Sequence, residues 1–476
     1  MVICKPEKKE KDKMEKNIPS KGWKAGAAKV DISPEKGIQL AGDVGRLRPV
    51  EEIVDPLFAK AVAVEHSGKR ACIVQMDLTI ITKRFSDEIK REAKRRYGLS
   101  PESVMLHATQ THSTPSLGHE AISEDYRGLP PELWYLRGSD ERYFPVAVKG
   151  IIESIGKAIE NLEPDTIMAG RGVDGRVSFN RRFVMRDGTV KSHPGRFNSD
   201  ILHSEGPIDP EVGVVLFANV KSERIAALLH HTCHPVHGYN KRAVTAGWPG
   251  AWASAVQKTL GQKCVALVIN GFCGNIHHHN HLDPWHVDNY TEMGNKLADT
   301  ARRVVMEKMV PVDSGSLSCK LRILKLARRN LEKKTVEEAH ELLRKYPSPI
   351  WEDSGKTNIE WRWVYAHSRI DMSERFAKEP YYGCPVQVIR IGDIALVGVP
   401  GEPFVEEQLR IKLESPAPFT FCAHMTNDSA GYIPTAQAFK KGGFETETAN
   451  WSCLAPDSLK LIGDCAVETL KKLYSV

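Results

Sequence analysis

The chain has no apolar run near the ~18 residues that a membrane span requires. It has no Cys-x-x-Cys pair either. Its ten cysteines are scattered, and Cys72, Cys264, Cys319 and Cys422 sit inside strand-like apolar runs, where a thiol acts as a small hydrophobe. That usage argues against a disulfide scaffold and fits reduced thiols in a cytoplasm. No apolar segment of the secretory type opens the sequence. Charge of one sign is scarce as well. Of a net +6, +4 falls within residues 1–24, which hold eight Lys against four acids. The remaining +2 gives no electrostatic footprint for nucleic acid. Residues 1–23 read as a solvated, disordered charged arm, because Glu and Asp interleave its lysines. No internal repeat, low-complexity stretch or linker is evident beyond the arm. With 41% hydrophobic and 26% charged residues, 24–476 reads as one large globular domain. The expected partner is a small-molecule substrate, without nucleic acid or stable membrane insertion; homo-oligomerisation is left open.

What is present is a sequence of short buried runs. Strands are expected at Ala25–Ile32, after Asp55-Pro, at Ala71–Leu78 and at Ser103–Ala108, with a helix over 86–97 whose Ser86, Asp87 and Glu88 suit an N-terminus. Strand, helix and strand form a βαβ unit and hence a parallel pair. Strands follow at 214–220 and 225–230, a helix at 249–260, the run Cys264–Ile269, and a helix at 288–309. Leu317 to Ile323 alternates as a half-exposed antiparallel strand. Thr335-Val-Glu-Glu338 reads as a capping box. Residues 346–380, with Pro347, Pro349 and three Trp, read as a long excursion or lid. Strands at 386–391, 394–399 and 419–425 and helices after Pro403 and at 457–473 complete an α/β fold, a single large mixed-sheet domain with βαβ units.

Chemistry gathers at strand ends. Nine of the 18 histidines fall in two windows, His230, His231, His234 and His237, then His277, His278, His279, His281 and His286. Each window follows a buried run, where open α/β sheets bind ligands. Gln110-Thr-His112, Pro400-Gly-Glu402 and Asn427 to Tyr432 share that placement. Any one of these is as well explained by a hydrogen-bonded loop group; five together point to a metal site at strand C-terminal ends. Imidazole, carboxylate and phenol suit Zn2+ or another divalent transition metal. Spacing adds little, since His230/His234 and His277/His281 lie in loops and enclose no Glu of a helical zinc motif.

The chain resembles the neutral/alkaline, non-lysosomal ceramidases, as a short bacterial-type relative of their N-terminal catalytic domain. The resemblance runs through Ala25-Gly-Ala-Ala-Lys-Val-Asp, Asp55-Pro-Leu-Phe-Ala, Ala108-Thr-Gln-Thr-His-Ser-Thr-Pro, Phe179-Asn-Arg-Arg, Asp209-Pro-Glu-Val-Gly, Cys233-His-Pro-Val, Trp248-Pro-Gly, Val399-Pro-Gly-Glu-Pro-Phe and Gly431-Tyr-Ile-Pro-Thr. It implies a zinc-dependent amide hydrolase with His234, Glu402 and Tyr432 as ligands and Arg181 facing the substrate. The family's first motif histidine is Gln110 here, leaving His112, and its active-site serine and Asp correspond to His277 and Asn275. The C-terminal β-domain of the long members is not evident. A rearranged site is therefore expected. His112, His234, Glu402 and Tyr432 hold the metal, and His277, His112, Tyr432 and Arg181 serve catalysis. Gln110, Arg181, Asn275 and His278 contact substrate. The expected activity is hydrolysis of a soluble amide, ester or glycosidic bond rather than of ceramide. The alternatives are a metal-assisted lyase or glycosidase on a sugar-like substrate, a Cys273 nucleophile beside His277, or a catalytically silent binding protein.

Overall fold

The main apolar runs pair into three four-stranded units of one plan, called layers below, of which the first two are halves of a single nine-stranded sheet. The structure, a computed structural model, describes residues 22–312 and 316–475, so the expected arm lies outside it up to residue 21, and Trp23 already belongs to a strand. In the first layer the strands Trp23–Asp31, Phe58–His66 and Lys69–Met76 are antiparallel neighbours, and Val104–Ala108 joins the last of them in parallel. The helix Lys83–Tyr97 makes the parallel crossover, and Phe144–Glu160 follows it. The second layer repeats this with Glu163–Val173, Glu211–Asn219, Arg224–His231 and Val265–Asn270, crossed by Gly247–Leu260 and followed by Tyr290–Glu307. The third does so with Leu317–Ala327, Tyr381–Ile391, Ile394–Gly398 and Phe419–Ala423, crossed by Val405–Glu414 and followed by Ser458–Tyr474. Layers one and two are continuous, joined where Lys24 and Ala25 meet Pro164 and Glu163. The fold is thus mixed α/β, and its βαβ units number three among the described residues.

The recurrence is one of topology, beside a sequence in which no repeat is evident. What recurs is pairing order and crossover, and these demand only strand length and two buried faces. Adjacent residues divide between those faces. Ile73, Leu228, Leu267, Ile389, Leu396 and Phe421 meet at the centre of the three layers. Their neighbours point outward under the helices: Val74 against Ile89 and Ile151, Leu229 and Val268 against Trp252 and Leu297, Val388 and Val397 against Ile411 and Ile462. Burial on both sides is why the strands read as continuous apolar runs.

Two expected helix starts move. The first helix begins at Lys83, not at 86, and its first-turn acid is remote: Asp428 Oδ1 accepts the Lys83 N–H at 2.8 Å. The Thr335 capping box does not form; that helix runs Lys333–Lys345 from Glu332 without a side-chain cap. Within 346–380 the helix Trp361–Lys378 packs on Lys333–Lys345, with Trp363 fully buried.

In every layer the parallel strands end on the same side as the first strand. The connections at 32–57, 174–210 and 328–380 therefore emerge together with the loops that follow Ala108, His231, Asn270, Gly398 and Ala423. Backbone bonds lock these ends: Asn270 N–H donates to His107 Nε2 at 3.1 Å, His424 N–H to Asn270 O at 3.2 Å, and Ala108 N–H to Met425 O at 3.1 Å.

Candidate functional site

Where those segments meet there is a cavity of about 550 Å³. Its wall takes Gly42 and Asp43 from the first layer's insertion, Arg181 and His193 from the second's and Trp361 from the third's. His112 and Glu120 follow the strand ending at Ala108; His234 and His277 follow the second layer's parallel strands, and Glu402 and Tyr432 the third's. Phe444 and Trp451 complete an aromatic side.

Glu402 and Tyr432 are 30 positions apart in sequence but paired directly as neighbouring parallel residues. His234 is bridged to His277 in the same way. Gly274 permits the approach beside them, since a Cβ there would lie 2.3 Å from Glu402 O. Gly42, at φ +81°, performs the same service for His112, whose Cγ would lie 2.7 Å from an added Cβ.

Hydrogen bonds assign the imidazole protons. His112 Nδ1 lies 2.5 Å from Gly42 O, and a carbonyl only accepts, so Nδ1 carries the proton and Nε2 is left as an acceptor. His234 Nε2 lies 2.8 Å from it and must donate, which leaves His234 Nδ1 a bare lone pair. That nitrogen is buried without a hydrogen-bond partner, as is Glu402 Oε2, 3.6 Å away. Burial pushes the Glu402 carboxyl up to about 8 against the opposing pull of Arg181, and lowers both histidines well into the neutral range. His277 Nδ1 accepts the His279 N–H at 2.8 Å, so in the neutral ring Nε2 is its donor.

Arg181 is held from behind. Its Nε donates to Glu445 Oε1 at 2.7 Å and its Nη2 to Gly274 O at 2.7 Å, and its guanidinium lies 5.2 Å from the Tyr432 ring centroid. Glu445 also accepts from Arg182 Nη1 at 2.7 Å and Ser192 Oγ at 2.6 Å. Burial opposes the Glu445 charge, but the two guanidiniums and the hydroxyl outweigh it and hold the carboxyl down to about 2.

Of the residues named from sequence, His112, Arg181, His234, His277, Glu402 and Tyr432 all line the cavity. Gln110, Asn275 and His278 do not. Gln110 is buried at φ +67° beside Cys273. The Asn275 side chain accepts from Val405 N–H and donates to Glu406, securing the helix at 405. His278 turns behind the wall to Asp288. Cys273 meets His424 Nδ1 at 3.0 Å instead of His277, and burial raises its thiol well above the ordinary value, which is the setting of an inert thiol. Asp43, Glu120, His193, Trp361 and Glu445 carried no strand-end signal; only the turn-forming Gly42-Asp43 pair could have drawn notice. Burial raises Glu120, which accepts the Gly42 N–H, to about 7.

His112, His234 and Glu402 do not bring one donor atom each within 4.8 Å of one another. Among the described residues one group does so, His278, His286 and Asp288, and it is able to hold a metal ion. No helix of the described residues is long and apolar enough to cross a membrane.

Residues 23–247 match the family described as neutral/alkaline non-lysosomal ceramidase, N-terminal. The neutral ceramidase of Pseudomonas aeruginosa is 28% identical over 221 residues, 45% of this chain but only 30% of that relative's length. The crystal structure of a neutral ceramidase from Pseudomonas aeruginosa superposes with a TM-score of 0.69 over 96% of this chain and 75% of the other, at 21% identity. A ceramidase complexed with C2 gives the same TM-score at 19% identity, over 95% and 75%. At these identities the likeness speaks to the fold. Over residues 23–247 the chain is thus similar to the neutral/alkaline, non-lysosomal ceramidase family, and it shares the fold of a neutral ceramidase.

Proposed function

We propose that the chain is a metal-dependent hydrolase of a soluble amide, with Zn2+ or a similar ion held by His234, Glu402 and Tyr432. One observation carries this: a bare His234 nitrogen and an unpartnered Glu402 oxygen, both buried, face each other across 3.6 Å at the cavity floor. Two such orphans cost free energy unless something fills the gap. When bound, a zinc-like ion supplies Lewis-acid polarisation of a carbonyl and a more acidic water. His112 then acts from behind as a positioning residue, fixing the His234 tautomer through its own bond to Gly42, as outer-shell groups do. Arg181 presents a fixed positive charge where an amide oxygen gains negative charge, and His277 offers its Nε2–H to the same substrate. Trp361, Phe444 and Trp451 keep water away and suit a compact apolar group. This volume favours a small substrate over two-chain ceramide. An ester or glycosidic bond, or a lyase reaction on a sugar-like substrate, would draw on the same side chains. A reduced cytoplasm is part of the proposal, since the nine described cysteines are all free.

The test is hydrolysis of a panel of short N-acyl amides, esters, glycosides and a long-chain ceramide, by wild type, Glu402→Gln and His234→Ala. Short amides should be cleaved by wild type alone, with both variants down by about 100-fold or more. Faster turnover of ceramide would overturn the substrate class, and an active metal-free His234→Ala protein would overturn the mechanism.

A further inference from the structure

Behind the cavity wall, in the segment just after His277, lies a second cluster of donors. The segment 278–288 folds three imidazoles around one carboxylate. His278 Nδ1 lies 3.0 Å from Asp288 Oδ1, His286 Nε2 lies 3.1 Å from the same oxygen, and His279 Nδ1 lies 3.0 Å from Oδ2. The donor atoms of His278, His286 and Asp288 all fall within 4.8 Å of one another. The His278 ring is fixed by stacking on His237, centroids 3.4 Å apart and planes 16° apart.

Hydrophobic packing does not explain why this loop is folded. Its three large apolar side chains face solvent: Leu282 is 54% exposed, Trp285 85% and Val287 74%. The segment gives up its backbone entropy without burying the side chains that normally compensate for it. Turn bonds within the segment and the imidazole–carboxylate cluster hold it, and a bound cation would take the place of the cluster's N–H···O contacts.

We infer that His278, His286 and Asp288, with His279 in reach, form a second, peripheral metal site for an imidazole-preferring divalent ion of the Zn2+ class. Three nitrogens and one carboxylate exclude Mg2+ and Ca2+, which take oxygen ligands. The site holds the loop closed, and through it the active-site wall: the His279 N–H that orients His277 belongs to this same segment, and the His277 and His278 rings are 4.2 Å apart. The inference is independent of the metal proposed for the cavity floor.

The experiment uses full-length, untagged protein, Zn2+ alone as ligand, and a His234→Ala background in which the cavity site is removed. Metal content after dialysis and competition titration against a chelator give stoichiometry and affinity; circular dichroism confirms folding. His234→Ala is expected to retain one Zn2+ per chain. Adding His286→Ala, or the isosteric Asp288→Asn, should weaken that binding by about tenfold or more, since even outer-shell changes cost that much. Each should also abolish the Zn2+-dependent rise in melting temperature. Visible d–d bands of Co2+ bound to the His234→Ala protein, lost with Asp288→Asn, give a spectroscopic readout. No Zn2+ bound by His234→Ala, or binding unchanged by both second substitutions, would overturn the site. Loss of metal from wild type on His234→Ala concerns only the cavity.

Discussion

Glu445→Gln should destabilise the whole domain, although the residue touches no substrate. The wild-type carboxylate is fully buried and accepts from Arg181 Nε, Arg182 Nη1 and Ser192 Oγ at 2.6–2.7 Å. Glutamine keeps the shape, removes the charge and turns an amide N–H2 toward at least one of those donors. Arg182 retains Glu205, but Arg181 loses its ion pair with Glu445. Removing one partner of a buried ion pair costs about 3–5 kcal/mol, because the remaining charge is uncompensated. Unfolding entropy near 2.1 cal/mol/K per residue gives about 1 kcal/mol/K for a domain of this size, so the midpoint should fall by about 3–5 °C. The pH dependence adds a second condition. With a folded pKa of about 2, below the unfolded value near 4.3, the charged carboxylate stabilises fully above pH 4.3, and this is lost as pH falls toward 2. Thermal melts by circular dichroism at pH 7 and pH 3 measure both quantities. A Glu445→Gln midpoint within 1 °C of wild type at pH 7, or a gap that fails to narrow at pH 3, would refute the account. Ser192→Ala, which removes one donor, should cost only about 1 kcal/mol.

Two further substitutions probe other parts of the structure. Gly42→Ala places a Cβ against His112 at a φ of +81°, so it should cost about 1–3 kcal/mol and displace the His112–His234 pair. Its signature is a loss of turnover and metal content larger than the change in melting temperature. Lys90 is 4% exposed, and burial pushes its amine down to about 7, below the unfolded value near 10.4. The penalty is full below pH 7 and fades as pH rises toward 10.4, so Lys90→Met should melt about 2 °C or more above wild type at pH 6. The difference should close near pH 10.5; a gap constant across that range would show that packing, not charge, is responsible.

Much of the layered fold and of the cavity wall was legible in the sequence. Strand cores such as Ala71–Met76, Arg224–His231 and Val265–Asn270 declare themselves because a strand buried on both faces must be apolar throughout. His112, His234, His277, Glu402 and Tyr432 could be found because polar residues directly after such runs are carried to one side of the layers. Their relation to one another was not legible. That His112 sits behind His234, that Asn275 serves a helix and that His278 faces Asp288 depend on side-chain direction after the chain has turned, which residue spacing does not encode.

The sequence by itself determined most strands, the first crossover and the side on which the chemistry gathers, since these follow from local periodicity and from where each apolar run stops. Only the tertiary structure decided how the three units join into a nine-stranded and a four-stranded sheet, and which partners the buried charges take. Arg181 and Glu445 are 264 positions apart, and the buried Asp428 carboxylate accepts the backbone N–H of Lys83, 345 positions away. Neither pair has a local signature. A buried charge takes the counter-charge that chain closure brings to it, so its partner is set by topology and not by neighbouring residues.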